Sequence, residues 1–213
     1  MNSLKDFLLS WYRRRPGKAP RIVILISGRG SNMRALLEKI REGRLRAECS
    51  LVISDREAGA GGLAVARAMG FKAELIQKRK EESREAFDRR LAERIKKENP
   101  TLVVCAGYLR ILSEPMLAAF PQRIVNIHPS LLPAFPGLRA QKQALDYGVK
   151  VTGCTIHLVD AGVDTGKILA QGVVPVLAKD TEETLSRRIL KAEHDLYWRT
   201  VQKYLERIAQ KTP

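Results

Sequence analysis

The chain has 213 residues, of which 45% are hydrophobic, and a chain of this size buries enough apolar surface for one sizeable domain but not for two. It carries 38 Lys and Arg against 23 Asp and Glu, a formal net charge of +15, which favours anionic ligands without choosing among nucleic acid, an anionic membrane surface and phosphorylated metabolites. No apolar run reaches the ~18 residues that span a bilayer, and the N-terminus lacks a secretory signal, so we expect a cytoplasmic protein.

Residues 1–20 differ in composition from the rest of the chain. They begin with four apolar residues that can form one face of a short helix, and they continue with three arginines and a Pro-Gly pair; the apolar residues are Leu4, Phe7, Leu8 and Trp11. We predict a basic N-terminal extension over residues 1–20, ahead of one domain over residues 21–213. A membrane-surface or partner-docking role and a loosely packed extension are both open for this segment.

From Arg21 onward, short apolar segments alternate with longer amphipathic ones, which is typical of βαβ units and a parallel sheet. Strands are predicted near residues 22–26, 50–53, 73–76, 102–105 and 124–127, and helices at 32–42, 61–69, 83–98, 113–119 and 139–147. The three cysteines lie in apolar strand-like runs without metal-site spacing, and we predict buried, reduced core residues at Cys49, Cys105 and Cys154. The pattern predicts a Rossmann-like, doubly wound α/β fold with a mostly parallel sheet.

After Tyr147 the alternation stops. Residues 152–159 and 167–176 are predicted to form an antiparallel strand pair joined by a loop at 160–166. A long final helix is predicted to begin near Asp180, whose side chain can cap the first turn, with Glu183 three residues further on.

The first candidate site is the hexapeptide Ser-Gly-Arg-Gly-Ser-Asn at Ser27–Asn32, between a predicted strand and a predicted helix. Its glycines allow a tight turn with free amide N–H groups, the helix N-terminus favours an anion, and Ser31 and Asn32 add side-chain donors. Met33 stands where a dinucleotide-binding turn has a further glycine, and the P-loop lysine is missing, so a phosphate monoester fits best. A plain strand-to-helix turn is the alternative.

The second candidate site is the segment Asn126–Ser130 at the end of a predicted strand, where open α/β sheets build their sites. In extended geometry Asn126 and His128 project from the same face, so an amide and an imidazole can point at one reacting centre. Asp164, in the predicted 160–166 loop, offers a carboxylate that would hold His128 protonated near neutral pH. A strand-end histidine is as often structural as catalytic.

Three further polar side chains leave alternatives open. His157 lies inside a predicted strand, and we predict a hydrogen-bonded core residue. His194 follows Glu193 on the last predicted helix, and either side chain can be solvated or can reach the site. Arg110 follows another strand end, where it can bind an acidic ligand or lie on the surface.

Taken together, these segments resemble the phosphoribosylglycinamide formyltransferases, a family of folate-dependent enzymes, and the resemblance extends from Arg21 to about Tyr204. It rests on Ser27–Asn32, on Ala-Gly-Tyr-Leu-Arg-Ile-Leu at Ala106–Leu112, on Asn-Ile-His-Pro-Ser-Leu-Leu-Pro at Asn126–Pro133, and on Asp164 in Val-Asp-Thr-Gly. The resemblance implies transfer of a formyl group from 10-formyltetrahydrofolate to the amine of glycinamide ribonucleotide in purine synthesis. It implies small-molecule substrates, no metal, no nucleic acid or membrane partner, and a monomer or homodimer.

The same resemblance implies roles for individual residues. Asn126, His128 and Asp164 would form the catalytic trio. Gly30, Ser31 and Asn32 would bind the phosphate of the acceptor, and Glu193 its ribose or glycinamide portion. The folate pocket would be lined by Arg84, Leu109, Arg110, Ile111, Leu112, Asn126, Asp160, Ala161, Gly162, Val163 and Asp164.

Three other functions compete with this interpretation. A formyltetrahydrofolate hydrolase shares the catalytic domain but usually carries an N-terminal regulatory domain, which some twenty residues cannot form. Methionyl-tRNA formyltransferase would need a C-terminal RNA-binding domain, and this chain stops at Pro213. A basic nucleic-acid-binding module is disfavoured because aromatics make up only 6% of the residues and do not alternate with Lys and Arg along strands.

Overall fold

The computed structural model describes residues 19–57 and 60–211, and the predicted extension at residues 1–20 lies almost wholly outside them. One mixed sheet of seven strands has the order β3-β2-β1-β4-β5-β6-β7. Its strands are β1 (Arg21–Ile26), β2 (Glu48–Ser54), β3 (Ala73–Leu75), β4 (Leu102–Cys105), β5 (Ile124–His128), β6 (Val151–Leu158) and β7 (Ile168–Pro175). The first five are parallel, whereas β6 pairs antiparallel with both β5 and β7. The predicted doubly wound fold with an antiparallel C-terminal pair is confirmed.

Helices cover both faces of the sheet. They are α1 (Ser31–Arg41), α2 (Ala60–Ala68), α3 (Arg84–Lys96), α4 (Glu114–Ala119), α5 (Ala140–Tyr147) and α6 (Glu182–Lys211). Strand β1 is buried on both sides: Ile22, Ile24 and Ile26 pack towards α1, α2 and α6, while Val23 and Leu25 pack towards α3 and α4. This two-sided burial explains why the central strands are continuous apolar runs in the sequence. In the described part of the chain, no helix combines the length and apolar character that crossing a membrane requires.

The long final helix is confirmed, but the predicted cap is wrong. The Thr181 hydroxyl accepts a hydrogen bond from the Thr184 N–H (3.2 Å), which is the capping contact. The Asp180 carboxylate instead accepts from the Leu177 N–H (2.7 Å) in the preceding turn and from the side chains of Thr184 (2.8 Å) and Arg188 (2.6 Å) in the helix. The helix therefore begins at Glu182, two residues later than expected.

The final helix is anchored to the middle of the sheet. Tyr197, which is fully buried, donates its hydroxyl to the carbonyl of Cys105 (2.8 Å) at the end of β4 and lies 3.4 Å from the carbonyl of Val125 in β5. All three cysteines are buried free thiols, as predicted. Burial raises the pKa of each thiol to about 12, so they are not nucleophiles at neutral pH.

Candidate active site

The candidate site lies at the carboxyl ends of β1, β4 and β5, beside the point where the strand order reverses between β1 and β4. Strand β4 ends at Cys105, which is opposite Asn126, so β5 continues past its parallel neighbour through Ile127 to His128. The sequence prediction ended this strand one residue early, at Ile127. The extension is held by β6, because His128 pairs with Thr155 and Asn126 pairs with His157.

Four polar side chains meet at this extension. His128 Nδ1 lies 3.2 Å from one oxygen of Asp164, and His157 Nε2 lies 3.5 Å from the other. The Asn126 amide nitrogen lies 3.2 Å from His157 Nε2. We call Asn126, His128, His157 and Asp164 the His–Asp cluster. The structure therefore brings together the three residues that the resemblance names as catalytic, and it adds His157.

His157 was predicted as a hydrogen-bonded core residue, and this is confirmed: its side chain is buried and Nδ1 donates to the Leu158 carbonyl (2.8 Å). That bond leaves Nε2 facing both the Asn126 amide (3.2 Å) and the Asp164 carboxylate (3.5 Å). The contact with Asn126 was missed, because it depends on the register between β5 and β6. The signal available in the sequence was the predicted antiparallel pair, which placed His157 and Asp164 on the same hairpin.

The backbone is strained at two residues that contribute polar groups to the cluster, Phe135 and Asp164. Asp164 and Phe135 both have φ of 56°, in the left-handed region that side-chain-bearing residues seldom occupy. The Phe135 carbonyl accepts a hydrogen bond from His128 Nε2 (2.8 Å), and Asp164 Oδ2 accepts from the Gly137 N–H (2.8 Å). The 131–138 loop is thus joined to both members of the His128–Asp164 pair.

The charges in the cluster follow from burial and from these contacts. Burial disfavours an ionised Asp164, but the hydrogen bonds from His157 and the Gly137 N–H, with the two nearby rings, keep its pKa below the ordinary value. Burial lowers the pKa of His128 below its ordinary value and outweighs the Phe135 carbonyl and the Asp164 carboxylate, which act to raise it.

The Nδ1 atom of His128 faces the Asp164 carboxylate and Nε2 faces the Phe135 carbonyl, so both ring nitrogens point at hydrogen-bond acceptors. The expectation that Asp164 holds His128 protonated near neutral pH stays a prediction, in which burial and the carboxylate act on the pKa in opposite directions. The sequence indicated the Asp164 carboxylate, which raises the pKa of His128, but it could not show the burial that lowers that pKa.

The anion turn, Ser27–Asn32, begins directly after β1. Gly30 has φ of 73°, and a Cβ at Gly62 would lie 2.9 Å from the Gly28 carbonyl oxygen, so the turn packs closely against helix α2. The first hydrogen bond of α1 runs from Arg34 N to Gly30 O (2.8 Å), which leaves the preceding amides at the helix N-terminus, where an anion binds best. Ser31 is exposed there.

Asn32 has a different environment from the one expected. Its side chain is buried, and its amide nitrogen donates to Glu193 Oε2 (2.8 Å) instead of pointing freely towards the turn. Its Oδ1 is buried without a hydrogen-bond partner among the described residues. Burial raises the pKa of Glu193, and the single bond from Asn32 offsets only part of that effect. The structure therefore brings Asn32 and Glu193 together as a buried pair.

The residues assigned to the folate pocket fall into three places. Leu109 and Ile111 are 55% and 47% exposed after β4, Leu112 is buried, and the Arg110 guanidinium lies 4.5 Å from the ring centroid of Phe87. Arg84 begins helix α3, half-exposed, with its ion pair to Glu85 at 3.5 Å.

The third place is the loop between β6 and β7, where residues 160–163 are exposed. Asp160 Oδ1 accepts from the Gly162 N–H (3.1 Å) and the Thr165 hydroxyl (2.7 Å), which fixes the turn before Asp164. Apolar side chains after β4 and polar loop backbone after β6 thus border the His–Asp cluster on two sides. Across the described ranges, no group of three or more His, Cys, Asp or Glu side chains is arranged to hold a metal ion.

Comparison with known proteins gives consistent matches. Residues 20–201 match the family model described as formyl transferase. The phosphoribosylglycinamide formyltransferase of Mycobacterium tuberculosis is 46% identical over 183 residues, which are 85% of this chain and 83% of that protein. The glycinamide ribonucleotide transformylase 1 of Symbiobacterium toebii has a crystal structure that superposes with a TM-score of 0.86 at 53% identity, covering 89% of each chain.

Some relatives are much longer. The trifunctional purine biosynthetic protein adenosine-3 of Drosophila pseudoobscura pseudoobscura is 47% identical over 176 residues, and these are 82% of this chain but only 13% of that protein. The present chain therefore spans a small part of the trifunctional relatives and most of the single-function bacterial ones.

Proposed function

The chain belongs to the formyl transferase family, and from this premise we propose that it transfers the formyl group of 10-formyltetrahydrofolate to the amine of 5′-phosphoribosylglycinamide. The products are 5′-phosphoribosyl-N-formylglycinamide and tetrahydrofolate, and the reaction is a step of de novo purine synthesis. The observation that carries the proposal is that the His–Asp cluster at the end of β5 and the anion turn at the end of β1 lie on the same edge of the sheet, with only β4 between the two strands. A phosphorylated amine and a formyl donor both need to reach that one edge.

Acyl transfer of this kind requires stabilisation of negative charge. As the amine lone pair forms a bond to the formyl carbon, charge develops on the formyl oxygen, and fixed hydrogen-bond donors in a water-poor site lower the barrier. Asn126 is half-buried at the exposed edge of the cluster, and we assign its amide to that oxygen. One such donor typically accounts for about 3–4 kcal/mol of barrier lowering.

His128 is the second donor in the proposed mechanism. A carbonyl can only accept, so the 2.8 Å contact with Phe135 means that Nε2 carries a proton even when the ring is neutral. In the reaction this N–H moves from the Phe135 carbonyl to the formyl oxygen. The lowered pKa of His128 therefore does not remove its role as a donor.

Proton balance assigns Asp164 its role. The carbon–nitrogen bond to N10 of the folate breaks while the amine loses a proton and N10 gains one, so a group that exchanges protons near neutral pH is needed. The ionised Asp164 carboxylate contacts both histidines of the cluster and orients His128 through Nδ1. We assign His128 to giving a proton to N10 as tetrahydrofolate leaves, and Asp164 to positioning His128 and to relaying the amine proton through water, so that the proton lost by the amine replaces the one given to N10.

The two substrates approach from different sides of the cluster. We place the acceptor phosphate at Gly30 and Ser31, with Asn32 and Glu193 below it as a hydrogen-bonding pair for the ribose or glycinamide portion. The folate is placed against the Leu109–Leu112 wall and the loop at 160–164.

A location in the cytoplasm is supported by the absence of disulfides among three free cysteines in the described residues.

A direct assay tests the proposal. Purified protein is given 10-formyltetrahydrofolate with and without 5′-phosphoribosylglycinamide, and tetrahydrofolate formation is followed by absorbance. We expect product only when the acceptor is present. Tetrahydrofolate release at the same rate without the acceptor would identify a hydrolase, and no product in either mixture would overturn the assignment.

A further inference from the structure

The backbone that follows β4 is held at two points by side chains from other parts of the fold. Residues 107–113, here called the donor segment, run from the end of β4 to the start of α4 and contribute Leu109–Leu112 to the proposed folate wall. Tyr108 and Leu112 are buried in the apolar cluster under α3 and α4, whereas Leu109 and Ile111 are exposed between them. Two buried polar side chains, Ser27 and Asp88, also hold the backbone of the segment.

Ser27 holds the beginning of the donor segment. It belongs to the anion turn by sequence, yet its hydroxyl accepts a hydrogen bond from the Leu109 N–H (2.9 Å), and its own N–H donates to the Gly107 carbonyl (3.0 Å). Its side chain is 2% exposed. The bond is partly buried, so the loss of this acceptor costs free energy, and the Ser27 hydroxyl favours one position of the Leu109 backbone.

Asp88 holds the end of the donor segment. It comes from the first half of helix α3, is completely buried, and accepts from both the N–H and the hydroxyl of Ser113 with one oxygen, at 2.6 Å each. Burying a carboxylate is costly unless its hydrogen bonds compensate, and short charge-assisted bonds are the ones that do. This geometry gives the buried carboxylate one evident task, which is to fix Ser113.

We infer that Ser27 and Asp88 are positioning residues for the formyl donor: they clamp the two ends of the donor segment so that residues 109–112 present a fixed wall to the folate. Neither side chain touches a substrate. The inference rests on the proposed function, because it takes residues 109–112 as the folate wall. It assigns Ser27 to the binding of the folate, although Ser27 belongs by sequence to the anion turn, which we place at the phosphate of the acceptor.

The test separates the two substrates. Ser27→Ala removes the acceptor for the Leu109 N–H, and we expect KM for 10-formyltetrahydrofolate to rise about 5–10-fold, the effect of one lost hydrogen bond, while KM for the acceptor stays within about twofold. The dissociation constant of tetrahydrofolate, measured by calorimetry, should rise by the same factor. Ser50→Ala is the matched control, since Ser50 is a buried serine of β2 whose hydroxyl contacts the Ile22 carbonyl (3.4 Å).

Asp88 gives a second, graded test. Asp88→Asn keeps an oxygen that can accept from Ser113, whereas Asp88→Ala removes both bonds, so tetrahydrofolate affinity should fall more in the alanine variant. If Asp88→Ala does not fold, as judged by circular dichroism, Ser27→Ala with its Ser50 control decides the question.

The outcomes are distinct. A Ser27→Ala protein whose KM rises for the acceptor alone, or equally for both substrates, would overturn the clamp while leaving the proposed function intact. A wild-type protein that neither transfers formyl nor binds tetrahydrofolate would instead overturn the proposed function, and the donor role of the clamp with it.

Discussion

Two carboxyl groups of the candidate site, the half-buried Asp164 and the buried Glu193, have pKa values that move in opposite directions. Asp164 contacts two histidine rings and accepts the Gly137 N–H, and its pKa is held below the ordinary value. Glu193 is more deeply buried, accepts one bond from Asn32, and its pKa is raised. Burial opposes ionisation in both cases, so the number and charge of the hydrogen-bond donors decide which carboxyl is ionised.

The difference gives the two regions different chemistry. The Asp164 region holds a charge next to imidazole rings, as general acid–base catalysis requires. The Glu193 region is a hydrogen-bonding surface whose carboxyl is driven towards its neutral form, which suits binding of a neutral polar group near a phosphate. Substitutions in each region should therefore have different consequences.

The largest effect is expected from His128→Ala in the Asp164 region. Removing the ring takes away the proton donor and leaves Asp164 without one of its partners, so kcat should fall by about 10²–10⁴-fold. Initial rates at saturating substrates measure the loss, and circular dichroism checks that the fold is retained. A variant within tenfold of wild-type kcat would exclude His128 as the acid.

A smaller loss of activity is expected from Asp164→Asn. The amide keeps the size of the side chain but removes the charge that raises the pKa of His128, so the His128 titration midpoint should move to lower pH in NMR spectra. We expect kcat to fall by roughly 10²-fold, because an orienting and proton-relaying group is lost. An unchanged midpoint would show that the Asp164 charge does not act on the pKa of His128.

Asn32→Ala tests the opposite region and should act on binding. It removes the donor to Glu193, so the pKa of Glu193 should rise further and the acceptor should lose an organised surface. We expect KM for 5′-phosphoribosylglycinamide to rise about tenfold, with KM for the folate nearly unchanged. A larger rise in KM for the folate than for 5′-phosphoribosylglycinamide would mean that the two substrate pockets are exchanged.

The smallest effect on activity is expected from Glu193→Gln, because glutamine keeps the size of the side chain and an oxygen that can accept from Asn32. The folded-state pKa of Glu193 lies above the ordinary value of 4.5, so its contribution to stability is fully present below that value and is lost as pH rises through the folded pKa. The free energy of unfolding, measured in urea from acid to alkaline pH, should therefore fall less steeply with rising pH in the variant. Parallel curves would show that folding does not raise the pKa of Glu193.

For Asp164 the free energy of unfolding is expected to depend on pH in the opposite direction, which provides an internal control. Its folded-state pKa is depressed, so its stabilising contribution is present above the ordinary value of 3.8 and is lost as pH falls through the lower folded value. In Asp164→Asn the change should therefore appear on the acid side of the stability profile.

The fold could be predicted because its evidence is local. Parallel strands buried on both faces, such as β1, are short apolar runs, and the amphipathic segments between them are helices. The change to an antiparallel pair after Tyr147 was also visible, since two strand-like segments follow each other with no helix between them.

The errors and omissions concern properties that depend on distant parts of the chain. The contact of His157 with Asn126 requires the β5–β6 register, and the bond between Asn32 and Glu193 joins residues 161 positions apart. The charge state of His128 depends on burial by the whole fold, which no sequence window contains. The cap at Thr181 was missed because Asp180 is a stronger candidate until its bonds to Leu177 and Arg188 are known.

The bond between Asn32 and Glu193 joins two helices that are synthesised at different times. The anion turn is synthesised well before helix α6, and domains begin to fold from the N-terminal side during synthesis. A nascent chain that has just emerged through β7 already contains every member of the His–Asp cluster but still lacks Glu193 and the Tyr197 anchor. The Asn32–Glu193 pair, which we propose as part of the acceptor site, is thus completed only after α6 has been synthesised, and a chain cut before α6 would lack it.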